Sequence, residues 1–260
     1  MYREWPVHAD PYDLYACVWT RATGAPRDLR VVPDACIDVI WHRESGELFV
    51  AGPDTRAHVA VADPGTLIGL RFSAGSGPAA LGVPADVLRD GRFALDELWR
   101  PAAVRRLAGS LARAGSDAQA RRVLAGGVAA NTTTDRDRVA SGVLRLLRSG
   151  RDIGSIAAAV GLSERQLHRR CLAAFGYGAK VLHRVLRFHR AVRLAYDGVA
   201  FADIAYGVGY ADQAHLSREV KALAGVPLAR LTRSALQDPG VEQDRHPRAG
   251  NRRRHTPAPS

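Results

Sequence analysis

From Tyr12 to about Phe72 the apolar residues come in short alternating runs. "YACVWT", "LRVVP", "CIDVIWH", "ELFVAG" and "TLIGLRF" are rich in Val, Ile and aromatic residues and are punctuated by Gly, Pro and Asp. Such runs predict strands joined by turns. In "CIDVIWH" the side chains of Ile37, Val39 and Trp41 fall on one face of a strand, and those of Cys36, Asp38 and Ile40 on the other. Five strands in so short a stretch imply an antiparallel sandwich or barrel. Two further apolar pieces, Leu81–Val83 and Val87–Leu88, lead into "FALDELW". Past Pro101 the period changes. "AAVRRLAGSLARA" and "AQARRVLAGGVAAN" repeat their apolar residues three and four apart, which predicts helices. "NTTTDRDRVASGVLRLLRSG" then opens on capping residues, carries Val139, Val143, Leu146 and Leu147 on one stripe, and stops at Gly150.

Beyond Gly150 one phrase is written twice, as "DIGSIAAAVGL" at 152–162 and "FADIAYGVGY" at 201–210. In the first copy Asp152 caps a short helix with Ile153, Ile156, Ala157 and Val160 turned inward. Gly161 marks a sharp turn, since only glycine reaches positive φ without steric cost. Leu162 plugs that turn, and Ser163 caps "ERQLHRRCLAAF". There Leu167, Cys171 and Leu172 face inward, with Arg165, His168 and Arg169 on the other side. In the second copy Ile204, Ala205 and Val208 pack inward, Gly209 turns, Tyr210 plugs, and Asp212 caps "QAHLSREVKALAG". Its stripe is Leu216, Val220 and Leu223, and Gln213, His215 and Arg218 lie off it. Each copy reads as a helix-turn-helix, whose second helix enters the DNA major groove. Between them "AKVLHRVLRFHRAVRLAYDG" reads as one helix with Val181, Val185, Phe188, Val192 and Ala195 inward, displaying Arg184, Arg187 and Arg190. A helix of about 20 residues spans roughly 30 Å, close to the roughly 34 Å between successive major grooves on one face of DNA.

Charge sharpens this division. The net charge of the 260 residues is +11. Residues 1–100 carry 10 Arg and Lys against 14 Asp and Glu, whereas 101–260 carry 27 against 12. A basic second half behind a mildly acidic first half points to a polyanion met by the second half alone. No apolar run has the roughly 18 residues of a membrane span, and "MYREWPVHAD" carries no signal region, which together predict a cytoplasmic protein. Three scattered cysteines, Cys17, Cys36 and Cys171, fit a reducing compartment without disulfides. The closing "DPGVEQDRHPRAGNRRRHTPAPS" is too poor in apolar residues to build a core, so 237–260 is expected to be a disordered basic tail.

Residues 136–236 resemble the paired helix-turn-helix domain of AraC/XylS-type bacterial transcription regulators. The resemblance is carried by "IGSIAAAVGLSERQLHRRCLAAFGYGA", the connector "RFHRAVRLAYDG" and "FADIAYGVGYADQAHLSREVKALAGVP". The chain departs from the family pattern at Tyr210, Leu216 and Val220, where the family has Phe, and at Pro227-Leu228, where its Thr-Pro is shifted by one. "VVPDACIDVIW", "GPDTRAH" and "LIGLRF" are similar to a small β domain that precedes the DNA-binding domain in some actinobacterial members, which implies a cupin-like effector-sensing or regulatory domain. The expected architecture is therefore α+β. A β-rich barrel or sandwich over 1–100 is followed by a helical linker over 101–130, which packs back on the β domain or pairs with a second chain. An all-α DNA-binding domain over 131–236 completes it.

The resemblance places Arg165, Gln166, His168 and Arg169 on the first recognition helix, where Arg can grip guanine and Gln adenine. Gln213, His215 and Arg218 take the matching role on the second. Ser163 is a cap that can also reach a phosphate, and Arg187 and Arg190 stabilise the connector or touch the DNA backbone. Asp34, Cys36, Asp38 and Arg71 are polar groups in strand-like runs, as an effector cavity requires, though turn caps and surface charges read the same way. The rival reading is an enzyme joined to a DNA-binding domain, either a metal cupin or a thiol methyl acceptor built on Cys36. The first needs a His-x-His pair and the second a thiolate cluster, and the sequence has neither. No cofactor or metal is expected. Double-stranded DNA is the implied partner. RNA polymerase, a small-molecule effector and a second copy of the chain remain further candidates, and no membrane is among them.

Overall fold

The structure is a computed structural model that describes residues 1–7, 13–132 and 137–237. The strands are β1 (Tyr2–Trp5), β2 (Tyr15–Thr23), β3 (Arg27–Val31), β4 (Asp38–His42), β5 (Leu48–Ala51), β6 (His58–Ala62), β7 (Gly65–Phe72) and β8 (Arg92–Ala94). Six of them form an antiparallel sheet in the order β1-β2-β7-β4-β5-β8, and β3 pairs with β6 as a separate ribbon. Val39 stands between Leu70 and Val50 in neighbouring strands. The face they share, with Val18, Trp41 and Ile68, forms the larger core. Two helices, α3 (Pro101–Ala112) and α4 (Asp117–Asn131), cover that face through Leu107, Leu111, Leu124 and Val128. Two shorter helices are α1 (Gly77–Leu81), between β7 and β8, and α2 (Leu95–Leu98), between β8 and α3.

Two open alternatives narrow here. The sheet does not close into a barrel, since β1 and β8 are its two opposite edges. Two helices bury the apolar face, so the sheet does not have to curl on itself to hide it. Of the two courses left open for 101–130, packing back on the β domain or pairing with a second chain, the structure has the first: the stretch completes the core of the strands.

The helical half has two cores that share one helix. The first is formed by α5 (Arg138–Arg148), α6 (Ile153–Ala159), α7 (Glu164–Phe175) and the first half of α8 (Ala179–Tyr196), and holds Val143, Leu147, Ile156, Leu167, Cys171 and Leu182. The second half of α8 joins α9 (Phe201–Val208), α10 (Gln213–Ala224) and α11 (Leu228–Gln237) around Phe188, Val192, Ile204, Leu216 and Val220. With 18 residues, α8 is about 27 Å long. Its buried stripe runs through Leu182 rather than Val181, which is 39% exposed. Leu172 and Leu146, expected inward, are half-buried. Tyr210, Leu216 and Val220 are all buried, so these side chains fill the second core. Among the described residues no helix is long and apolar enough to cross a membrane. The expected tail lies outside the described residues except for Gln237.

Candidate nucleic-acid interface

Both repeated phrases fold as a short helix, a left-handed glycine and a capped second helix. Gly161 has φ +68° and Gly209 φ +83°. Behind each, two backbone bonds close the helix end. Leu162 N–H donates to Ala157 and Gly161 N–H to Ala158; Tyr210 N–H donates to Ala205 and Gly209 N–H to Tyr206. This is the Schellman pattern, which satisfies carbonyls that a helix end leaves open. Three pairs of left-handed glycines mark the same repeat, at Gly150 and Gly198, Gly161 and Gly209, and Gly176 and Gly225.

The helix after each turn begins on a side-chain cap. Ser163 Oγ accepts from Gln166 N–H, while the Gln166 side chain accepts from Ser163 N–H at 2.8 Å and from its hydroxyl at 3.0 Å. Asp212 accepts from His215 N–H at 2.6 Å, and His215 Nδ1 accepts from Ala211 N–H at 3.3 Å. The His215 ring meets Tyr210 edge-on with centroids 5.3 Å apart. Gln166 and His215 therefore occupy the same position in the two copies, and both fold back onto the turn. His168 also turns aside, because its ring lies against the backbone of Gly178, where a Cβ would come within 2.3 Å of it.

Opposite the buried stripes lie Arg165 and Arg169 on α7 and Arg218 and Lys221 on α10, all exposed. Arg169 and Arg218 stand six residues beyond their respective caps, so each helix presents a guanidinium at the same height. No carboxylate among the described residues lies within ion-pair distance of Arg165, Arg169, Arg190 or Arg218. Gln213 is exposed in the first turn of α10 and Ser163 before the first turn of α7. A groove of about 750 Å³ separates α7 from α1 and the Gly82–Pro84 turn, with Gln166, Arg169 and Ala173 on its helical wall.

Each recognition-type helix is tied to the helix before its turn unit by an ion pair, with the signs exchanged. Arg170 of α7 donates to both oxygens of Asp137, the α5 cap, at 2.9 Å. Glu219 of α10 accepts from Arg184 of α8 at 2.7 and 3.2 Å. The hydrogen bond from Arg184 holds the Glu219 carboxyl below the usual glutamate range. For Asp137 burial acts upward, but Arg170 and the backbone N–H groups outweigh it and lower the pKa. Arg187, expected on the connector surface, reaches into the second turn. It donates to the Gly209 carbonyl at 3.2 Å and its guanidinium sits 4.4 Å over the Tyr210 ring. The sequence reading displayed Arg184 on the connector without a role and gave Arg187 to the connector or the DNA backbone, because either residue equally reads as a solvated cation on an amphipathic helix.

On the sheet face away from α3 and α4, Asp34, Asp38 and Arg71 come together with Cys36 beside them. Arg71 donates to Asp38 at 3.1 and 3.4 Å and lies 3.6 Å from Asp34 and 3.8 Å from Glu4. Trp19 Nε1 also donates to Asp38, at 3.1 Å, and Cys36 N–H donates to Asp34 at 2.8 Å. Burial pushes the Asp38 carboxyl up against the pull of Arg71. Cys17 and Cys171 are buried and Cys36 half-buried. Among the described residues no group of three His, Cys, Asp or Glu side chains could hold a metal.

The two halves of the chain meet at the far ends of α7 and α10. Ala85 N–H donates to the Ala173 carbonyl at 2.8 Å, and Arg89 to the Gly176 carbonyl at 3.2 Å. Ala57 N–H donates to the Leu223 carbonyl at 2.7 Å, and Arg30 to the Ala224 carbonyl at 2.9 Å. Tyr177 adds a buried hydroxyl bond to the Asp54 carbonyl. Two apolar side chains of one segment also cross over, Val32 into the second helical core and Ala35 into the first.

Residues 141–234 match the family model described as "Helix-turn-helix domain", and residues 13–94 match one described as "Domain of unknown function (DUF6597)". No curated protein matches the chain. Solved structures with a distantly similar chain course include ToxT from Vibrio cholerae. One form is an apo single-site variant from strain SCE256, at 11% identity, 83% of this chain, 96% of that chain and a TM-score of 0.48. Another is ToxT at 1.65 Å resolution, at 12% identity, 82% and 97% coverage and a TM-score of 0.46. With a helix-turn-helix family match over 141–234 and two turn units built around one shared helix behind a β domain, the chain is a sequence-specific DNA-binding transcription regulator.

Proposed function

We propose that α7 and α10 enter successive major grooves on one face of double-stranded DNA, held apart by α8. The observation that carries this is the equivalence of Arg169 and Arg218, exposed and without carboxylate partners at the same position of two capped helices. An arginine at such a place can pair with the O6 and N7 of guanine. Arg165, Arg169, Arg218 and Gln213 are the base-reading side chains in this reading. Ser163, Lys221 and Arg190 supply contacts to phosphates, and Gln166, His168, His215 and Arg187 hold the turns. Regulation is assigned to the β domain, which touches the end of both readers. The cluster of Asp34, Cys36, Asp38 and Arg71 fits an internal anchor better than an effector site, because Arg71 is already engaged by Asp34 and Asp38 and Asp34 by the Cys36 N–H. The test is to select fragments of the source genome on the purified full-length chain and sequence them. Recovery of one shared site upstream of a few genes supports the reading. Uniform recovery, or none at low salt, contradicts it.

A further inference from the structure

The β domain holds the two recognition-type helices in the same manner. At the end of each it supplies one backbone N–H and one arginine: Ala85 to the last turn of α7 and Arg89 to its glycine cap, and Ala57 and Arg30 to the last turn of α10. The last carbonyls of a helix have no partner within it and carry the negative end of its dipole, so an arginine there is a directed contact. Without these bonds the two helical subdomains would be joined through α8, on which both pack. A single shared helix can bend and twist. Two attachments to the one β domain, away from that helix, remove this freedom. The segment that carries Val32 and Ala35 into the two cores reinforces the same geometry, and Arg71 grips Asp34 midway between them. Ala35 has φ +63°, a left-handed conformation that a residue with a Cβ keeps only where its surroundings impose it.

We infer that Arg30 and Arg89 are positioning residues for DNA recognition, which fix the separation and relative angle of α7 and α10 and so make the β domain a template for the half-site spacing. The inference rests on the two-groove reading above. Neither side chain lies on the exposed face of α7 or α10, so neither has to meet a base, and neither is buried. Arg89 is exposed and Arg30 half-buried, which leaves the fold intact when either is shortened.

The test uses the full-length chain with the DNA fragment recovered by genomic selection and the same fragment with one base pair inserted between its half-sites. An insertion rotates one half-site by about a tenth of a turn, and the wild-type chain is expected to bind it about tenfold more weakly. Arg30→Ala and Arg89→Ala should each reduce that ratio by about threefold or more, and Arg30→Lys and Arg89→Lys, which keep a donor, should restore part of it. Melting temperatures measured alongside identify any variant that has lost its fold, in which case the other arginine decides. A ratio unchanged in both alanine variants overturns the inference. So does an equal gain or loss of affinity on the two fragments, or a wild-type chain indifferent to the insertion. Absence of any DNA binding sinks the two-groove reading itself, and this inference with it.

Discussion

Gly161 and Gly209 are the residues on which the fold turns, and the sequence displayed both. An apolar helix phrase ending in Val-Gly before a large plug residue has a physical reason only if the glycine goes left-handed, and both do. A Cβ at Gly209 would meet no atom within 4 Å, so the cost of Gly209→Ala is that of the backbone alone, about 1–2 kcal/mol. Thermal unfolding of the full chain should show a lowered melting temperature, with weaker binding to the selected DNA. A rise instead would mean that alanine extends α9 through the turn. Arg169→Ala should lose about 1–3 kcal/mol of discrimination between selected and random DNA in a binding competition, with the melting temperature unchanged. Arg187→Ala behaves differently. It loses a carbonyl bond and the contact over Tyr210, so it should lower the melting temperature by the equivalent of about 1–3 kcal/mol and weaken binding indirectly. If Arg187→Ala left the melting temperature unchanged and weakened DNA binding only, its place would be at a phosphate and not in the turn. What the sequence hid at this scale was direction. Gln166, His168 and His215 lie on the polar side of their helices, yet all three bend back to local backbone, and helical periodicity cannot see a side chain bend.

Among the elements, the long periodic helices were legible, and so were the strands with a clear apolar run. β3, β4, β5, β7 and most of β2 fall where runs of Val, Ile and aromatic residues were seen. β1, β6 and β8 went unread. β6 is "HVAVA", whose alanines weaken the alternation and whose Val59 and Val61 stay exposed, so no burial pattern marks it. The choice between sandwich and barrel stayed open in the sequence for a related reason: the strands are amphipathic either way, and α3 and α4 decide that the sheet does not close. The Arg184–Glu219 pair gives a test at this scale. Its glutamate has a pKa below the ordinary value of 4.5. A depressed carboxyl contributes stability that is present above its unfolded-state pKa and is lost as pH falls through its folded-state pKa. Melting curves of wild type and Glu219→Gln should therefore differ near neutral pH, with wild type the more stable, and converge as pH falls below about 4. A gap that stays constant from neutral to acid pH would show that the pair does not titrate as a unit.

At the scale of the whole molecule, the charge division between the halves and the doubled motif pointed to DNA and to the half that binds it. The contact between the halves could not be read. It rests on carbonyls at helix ends, on Arg30 and Arg89, which look like other surface arginines, and on Val32 and Ala35, which look like core residues of their own domain. In the two-groove reading one chain presents two equivalent helices to DNA, held apart by α8, which is itself about 27 Å long. Hydroxyl-radical footprinting of the full-length chain on the selected fragment tests it directly. Two protected patches on one face of the duplex, centred about 10 base pairs apart, are predicted. A single patch, or two on opposite faces, would contradict it.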